Sequence, residues 1–185
     1  GLGFGGGCLP KDIRAFRARA TELGIGESLD FLDDVDAINQ RCRTRAVAAA
    51  LSLTSQQLAG KPVTILGAAF KPDSDDVRDS PALAVATELI EHGALVTIFD
   101  PAANHTASVR VPTATYAATA DEALAGAELV LLLTEWKQFQ DLDPIKTKSQ
   151  VATPLMIDAR NVLDPQQWAN AGWTIHSLGR GTRHP

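Results

Sequence analysis

Hydrophobic residues recur along the first third of the chain at the spacing of amphipathic helices. Residues 12–20 follow Pro10, whose missing N–H is harmless in a first helical turn, and predict a first helix. After a glycine hinge at 24–26, residues 27–52 predict a long second helix, because apolar side chains return near helical spacing with charges between them. Its predicted apolar stripe comprises Leu29, Leu32, Val35, Ile38 and Cys42. Cys42 is therefore interpreted as a packing residue.

Beyond the polar stretch 55–61 the pattern changes to short apolar runs that alternate with helical segments. The predicted strands are 62–67, 95–99, 129–133, 155–158 and 175–178, and the predicted helices are 81–91 and 121–125. Repeated strand and helix at these spacings predicts a parallel, doubly wound sheet with right-handed crossovers. The expected fold class is α/β, with a helical segment over 1–55 and a Rossmann-like sheet domain over 56–185.

Composition narrows the function classes. The chain is 45% hydrophobic and 21% charged, and no apolar run approaches the roughly 18 residues that span a membrane. A formal net charge of −5 argues against nucleic acid as a partner, because phosphate-backbone binders carry concentrated basic surface. Two cysteines and four histidines without paired spacing support neither a disulfide framework nor a metal site. We expect a reduced, cytoplasmic protein with no membrane partner.

The most informative chemistry lies in residues 3–12, where a glycine run delivers Cys8 to a helix start. Free backbone N–H groups and the helix dipole favour a thiolate there and can hold an oxyanion beside the sulfur. Lys11 adds a positive charge, and Asp12 returns one turn later to the same helix face, within reach of a shared water. For a lone cysteine a buried helix cap is the alternative. The glycines favour a nucleophile, since they allow close approach of a ligand or an anion-binding nest.

The formal G-x-G-x-x-G over residues 1–6 is not interpreted as a dinucleotide fingerprint, because no strand precedes it and helices follow. The loop 70–80 is a better candidate for ligand binding, since it leaves the carboxyl end of the first predicted strand. It offers an apolar face in Phe70, an ammonium in Lys71 and a planar fork in Arg78. The alternative is a solvated turn in which its four aspartates pair with those two cations.

Two further residues follow predicted strands. Asp100 occupies the position of a ribose-reading carboxylate, but we favour a strand-terminating turn at Asp100-Pro101. Arg160 can clamp a diphosphate, and the alternative is neutralisation of Asp158. The tryptophans at 136, 168 and 173 are expected to pack against the sheet, and the first of them can also line a pocket.

Three blocks together resemble the nucleotide-sugar 6-dehydrogenases, the UDP-glucose/GDP-mannose dehydrogenase family. They are GFGGGCLPKD (3–12), GAAFKPDSDDVRDSP (67–81) and IDARN (157–161), and the resemblance covers about residues 1–180. It implies an N-terminal NAD-binding domain, a helical middle segment and a C-terminal domain that holds the nucleotide. On this comparison residues 1–55 are the end of the middle segment. The NAD-binding domain, with an acid/base lysine, is expected to lie outside these 185 residues.

The resemblance implies oxidation of UDP-glucose to UDP-glucuronate in two hydride transfers to NAD, with a thiohemiacetal and then a thioester on Cys8 and with Asp12 assisting the hydrolytic water. The substrate-binding residues implied are Gly1, Phe4, Gly5, Phe70, Lys71 and Arg160. The cofactor-binding residues implied are Lys11 and Arg78. GDP-mannose or another UDP-sugar as substrate, and a non-catalytic nucleotide-binding module, remain alternatives. A homodimer through the helical segment is also implied, and Gly7 departs from the serine of many relatives.

Overall fold

The computed structural model describes residues 1–185 as eight α-helices and one seven-stranded sheet. The helices are α1 (Leu9–Glu22), α2 (Phe31–Leu53), α3 (Pro81–Glu91), α4 (Asn104–Arg110), α5 (Ala120–Leu124), α6 (Lys137–Gln140), α7 (Pro144–Lys148) and α8 (Pro165–Asn170). The strands are β1 (Pro62–Leu66), β2 (Leu95–Phe99), β3 (Thr115–Tyr116), β4 (Leu129–Leu132), β5 (Leu155–Asp158), β6 (Thr174–Ser177) and β7 (Gly181–Arg183). A 3₁₀ turn, Gly26–Leu29, joins α1 to α2.

The sheet has the order β3-β2-β1-β4-β5-β6-β7, and every neighbouring pair is parallel except β6 and β7. Ile65 in the interior strand β1 lies between Ile98 of β2 and Leu131 of β4. The chain builds outward from β1 to β3 and then returns to β4 on the other side. This reversal opens a crevice between the carboxyl ends of β1 and β4, which is where such sheets bind ligands. The predicted doubly wound α/β fold is confirmed.

Both faces of the sheet are buried, because successive strand residues enter opposite hydrophobic clusters. Leu129 and Leu131 pack in a cluster with the second half of α2 and with α3. Val130 and Leu132 pack in a second cluster with α5 and α8. Trp168 and Trp173 anchor the second cluster in an edge-to-face pair with ring centroids 5.0 Å apart. Their predicted packing role is confirmed.

The second helix is confirmed, but its predicted apolar stripe is wrong at Ile38, whose exposed fraction is 54%. The 23 residues of α2 extend about 35 Å, roughly twice the length of a five-residue strand. Its second half therefore packs on the sheet with Ala46, Val47 and Ala50 buried, while its first half extends past the sheet. The hydrophobic core thus includes residues on both sides of the domain boundary predicted near residue 56, and that boundary stays a prediction.

The short elements were missed: α4, α6, α7, α8, β3 and β7. Helices of four to seven residues show too little periodicity to be recognised. The signals for α7 and α8 were their caps, since Asp143 and Asp164 each accept hydrogen bonds from two backbone N–H groups ahead of a proline-led turn. None of the helices combines the length and apolar character needed to cross a membrane.

Candidate functional site

The candidate site lies at the carboxyl edge of the sheet, where the parallel strands end. Its first feature is the loop 67–80 that follows β1. Thr134, after β4, donates a hydrogen bond of 2.6 Å to the carbonyl oxygen of Ala69, and Ser80 donates one of 2.6 Å to the carbonyl oxygen of Ala68. The start of the loop is therefore held across the crevice between β1 and β4, at the position expected for a ligand.

Asp100 is a buried anchor for this edge. Its Oδ2 atom accepts the backbone N–H groups of Ala68 at 2.7 Å and Ala69 at 3.0 Å, and the indole N–H of Trp136 at 3.2 Å. Its Oδ1 atom accepts the N–H groups of Ala102 at 3.0 Å and Ala103 at 2.8 Å. Both carboxylate oxygens are committed to the protein, so the interpretation as a structural turn is confirmed over ribose recognition. Trp136 is half-buried, and its indole N–H helps to hold this carboxylate in place.

Within the loop, Asp76 holds Arg78 in a two-pronged ion pair. The Nε and Nη2 atoms of Arg78 donate to Asp76 at 2.9 and 2.7 Å, and this hydrogen bonding is the main cause that lowers the pKa of Asp76. Asp79 instead pairs with Arg14 of α1 at 3.4 Å. Lys71 is exposed and lies 5.6 Å from the centroid of the Phe70 ring. Arg78 therefore pairs with an aspartate of its own loop, as the alternative of a solvated charged turn predicts. Lys71 does not make such a pair.

Cys8 is exposed and immediately precedes α1, as predicted, with Pro10 in the first turn. The Asp12 N–H donates to the Cys8 carbonyl oxygen at 2.8 Å, and the Asp12 carboxylate pairs with Lys11 at 2.9 Å on the surface. The hydrogen bond from the Lys11 ammonium to the Asp12 carboxylate is the main cause that raises the pKa of Lys11, and the nearby Cys8 makes a smaller contribution. The thiol, the ammonium and the carboxylate thus occupy one exposed corner at the helix start.

The three glycines before Cys8 form a contact surface for the loop 67–80. A Cβ atom on Gly5 would clash with the carbonyl oxygen of Asp79, one on Gly6 would lie 2.9 Å from the Phe70 ring, and one on Gly7 would lie 2.5 Å from Nη1 of Arg78. The Gly6 N–H donates to the Arg78 carbonyl oxygen at 2.8 Å. The close approach predicted for these glycines is therefore made by the protein itself, and the Gly6 N–H is not free for an anion nest.

Asn39 fixes the other end of the cysteine segment, and sequence reasoning missed it. Its side chain accepts the Phe4 N–H at 2.7 Å and donates to the Phe4 carbonyl oxygen at 2.9 Å. The signal was a polar residue within the apolar pattern of α2, where it is 3% exposed. The adjacent Leu2 is fully buried, while Phe4 is half-buried and Gly1 exposed. The segment is thus bound on both sides, by α2 and by the loop 67–80.

Arg160 joins the separate parts of the site. Its Nε donates to the Leu133 carbonyl oxygen at 2.7 Å, and its Nη1 and Nη2 reach the carbonyl oxygens of Gly3 at 3.5 Å and Phe70 at 3.3 Å. Its Nε also lies 3.1 Å from a carboxylate oxygen of Glu135. Burial lowers the pKa of this guanidinium, whose side chain is only 13% exposed. One cation therefore connects the cysteine segment, the β1 loop and the end of β4.

The alternative pairing of Arg160 with Asp158 is wrong. Asp158 is fully buried and accepts the backbone N–H groups of Arg160 at 3.0 Å, Asn161 at 2.7 Å and Leu163 at 2.8 Å. The carboxylate therefore shapes the turn after β5, and the guanidinium of Arg160 is held instead by the carbonyl oxygens at the carboxyl edge.

The fold and site together define a doubly wound α/β domain in which an exposed cysteine lies beside the loop that follows β1. Gly3, Phe70 and Arg160 meet at the carboxyl edge, and Phe4 and Gly5 follow Gly3 in the same segment. Cys8 lies near Lys11 and Arg78. The chain belongs to the UDP-glucose/GDP-mannose dehydrogenase family, whose UDP binding domain matches residues 64–165.

Individual relatives agree with this assignment. The chain is 35% identical to the UDP-glucose 6-dehydrogenase of Pseudomonas aeruginosa and 33% identical to that of Rhizobium meliloti, and each match covers 97% of this chain and 41% of the relative. Among solved structures, a UDP-glucose dehydrogenase from Pyrobaculum islandicum is 33% identical with a TM-score of 0.79, over 90% of this chain and 37% of that one. The GDP-mannose dehydrogenase of Pseudomonas aeruginosa is 28% identical with a TM-score of 0.73, over 88% and 37%.

Proposed function

We propose that this chain supplies the nucleotide-binding and cysteine-bearing part of an NAD-dependent dehydrogenase that oxidises UDP-glucose to UDP-glucuronate. The observation that carries the proposal is the docking of the cysteine segment on the loop 67–80 through Gly5, Gly6 and Gly7. A nucleotide held by Phe70, Lys71 and Arg160 therefore presents its sugar toward an exposed thiol at a helix start. The match to a UDP binding domain and the likeness to two UDP-glucose 6-dehydrogenases support UDP-glucose as the substrate.

The chemistry assigned to this chain is the second oxidation. The Cys8 thiolate adds to the C6 aldehyde and forms a thiohemiacetal, with the N–H groups at the start of α1 facing the developing oxyanion. Loss of hydride leaves a thioester, which a water oriented by Asp12 hydrolyses to the carboxylate. The thiol is regenerated when the sulfur leaves. Gly1, Phe4 and Gly5 line the approach to the sugar, and Lys71 and Arg160 hold the nucleotide end.

The residues present fit a nicotinamide dinucleotide on the cysteine side of the loop. Lys11 and Arg78 line one hollow of about 550 Å³ together with Gly7, the residue before Cys8, so two cations face this space. When bound, NAD⁺ accepts the hydride of each oxidation. The chain spans 41% of the length of the Pseudomonas aeruginosa and Rhizobium meliloti relatives. We propose that a preceding dinucleotide-binding domain holds most of the cofactor.

The test is turnover by a protein that carries this chain behind a dinucleotide-binding domain. With UDP-glucose we expect about two NADH per sugar, and Cys8→Ser stops the reaction before the carboxylate. Cys42→Ser is the matched control and keeps full activity, because Cys42 lies half-buried on α2. Faster turnover of GDP-mannose than of UDP-glucose would show that GDP-mannose is the substrate. UDP binding without any turnover would leave a nucleotide-binding module.

We also propose that the helical segment forms a homodimer. Most of the large exposed apolar side chains belong to residues 9–38: Leu9, Phe16, Leu23, Ile25, Phe31 and Ile38. Clusters of exposed apolar side chains mark interaction surfaces in soluble proteins. Sedimentation should give a dimer that Phe16→Glu dissociates, while Val109→Glu, at an exposed apolar residue of α4, leaves it intact. A wild-type monomer at micromolar concentration would contradict the dimer.

A further inference from the structure

The segment 133–136, which follows β4, braces the carboxyl edge of the sheet. Three of its four residues make hydrogen bonds across this edge: Leu133, Thr134 and Trp136. The fourth is Glu135, which is half-buried and which no step of the proposed reaction uses. Its negative charge lies at the edge where the proposed function places an anionic nucleotide. An acid at this position repels such a ligand unless a cation takes up its charge.

The carboxylate of Glu135 pairs with Arg160 through charge and not through a hydrogen bond. Its Oε2 atom is buried and lies 3.1 Å from Nε of Arg160. The hydrogen on that nitrogen is donated to the Leu133 carbonyl oxygen at 2.7 Å, so Oε2 is left without a hydrogen-bond donor. Since buried polar atoms are nearly always hydrogen-bonded, this oxygen indicates a carboxylate that is kept for its charge.

Arg160 depends on that charge. Its side chain is only 13% exposed, and a guanidinium buried without a counterion is costly. Burial lowers the pKa of Arg160, and Glu135 is the charge that offsets this effect. Asp158 does not serve, because backbone N–H groups bind its carboxylate. The Nη atoms of Arg160 are held only by long hydrogen bonds, of 3.5 Å to the Gly3 carbonyl oxygen and 3.3 Å to that of Phe70.

We propose that Glu135 is a positioning residue that holds Arg160 in place to bind the nucleotide, where the identity of the ligand rests on the proposed function. The guanidinium has five N–H donors, and three carbonyl oxygens use three of them, so two remain for a ligand. Without its counterion the cation turns toward solvent, and ordering it again on binding reduces the affinity. The carboxylate thus strengthens the binding of an anion although both carry negative charge.

Glu135→Gln separates positioning from simple charge. The substitution keeps the shape of the side chain and removes a negative charge, so electrostatics alone predicts tighter binding of an anionic nucleotide. Positioning predicts binding that is weaker by at least about threefold, the effect of ordering one flexible side chain. Asp73→Asn is the matched control, because it removes the same charge from an exposed residue of the loop 67–80 that does not pair with Arg160. Asparagine also tolerates the positive φ of position 73.

The experiment is an NMR titration of the 185-residue chain with UDP at physiological ionic strength. We expect Glu135→Gln to weaken UDP binding and Asp73→Asn to leave it unchanged or slightly tighter. The Arg160 Nε–H signal should move in Glu135→Gln but not in Asp73→Asn. The indole N–H signal of Trp136 is the internal control, because this neighbouring residue is bonded to Asp100 and stays in place when only Arg160 is released.

A double-mutant cycle with Arg160→Gln shows whether Glu135 acts through the arginine. In the Arg160→Gln background only the charge effect of Glu135→Gln remains, so UDP binding should be equal or tighter. Weakening that persists in this background would mean that Glu135 touches the ligand itself, and it would overturn the positioning proposal.

Three other results would also overturn the proposal: UDP binding in Glu135→Gln as tight as in Asp73→Asn, an Arg160 signal that does not move, or a Trp136 indole signal that moves with it. The last result would show a general structural role. Failure of the wild type to bind UDP would count against the proposed function alone. In that case, or if Arg160→Gln does not fold, the Arg160 and Trp136 signals of the unliganded variants decide the positioning proposal.

Discussion

Replacing Asp100 by asparagine is expected to destabilise the fold strongly. The amide can keep one oxygen for two of the five N–H donors, but its NH₂ group then faces Ala68, Ala69 and the Trp136 indole. If the amide is flipped, two donors still face an NH₂ group. Each buried donor left unpaired costs about 1–3 kcal/mol, and these costs are not fully additive. We expect a loss of about 3–5 kcal/mol in the free energy of unfolding.

Urea denaturation followed by tryptophan fluorescence and far-UV circular dichroism measures this loss. For a chain of this size, the melting temperature should fall by about 10 °C. Asp75→Asn is the control, and as an exposed substitution it should change stability by no more than about 0.5 kcal/mol. A loss below about 1 kcal/mol in Asp100→Asn would refute the reasoning, because the carboxylate would then not be the anchor of the carboxyl edge and would be free to bind a ligand.

Three further predictions concern the cysteine segment and the chain's single tyrosine. Gly6→Ala should cost about 1–3 kcal/mol more in urea denaturation than Gly60→Ala, because both glycines have positive φ but only Gly6 packs on the Phe70 ring; equal costs would contradict the glycine interface. Iodoacetamide should alkylate exposed Cys8 before half-buried Cys42, and mass spectrometry of Cys8→Ser should show that the fast phase is lost; a fast phase that persists would contradict the exposure of Cys8. Burial raises the pKa of Tyr116 to about 12, so absorbance at 295 nm should report a midpoint there in folded protein and near 10 in urea; its contribution to stability is complete below pH 10 and is lost as the pH rises through 12. A folded-state midpoint near 10 would show that Tyr116 is solvated.

Local signals placed the main elements well. The strand and helix bounds from residue 62 to 99 follow from apolar runs, from Ser80-Pro81 at a helix start and from Gly93 after a helix end. The short helices and the two-residue strand β3 were not predicted, because a single helical turn or one pair of residues shows no hydrophobic periodicity. In the predicted apolar stripe of α2, Ile38 is exposed while the other residues are half-buried, since periodicity states that an apolar stripe exists but not how far the sheet extends beneath it.

The amino-acid sequence by itself determined the α/β fold, the position of Cys8 at a helix start and the three blocks that carry the family resemblance. These depend on neighbouring residues, whose spacing and backbone preferences act locally. Only the tertiary structure decided what the glycines contact, that Arg160 joins Gly3 to Phe70, and that Asp100 is closed to ligands. Those contacts join residues that are distant along the chain, and their partners are selected by the crossing of strands and loops at one edge of the sheet. An exposed cysteine at a helix start is thereby placed beside the loop that follows β1.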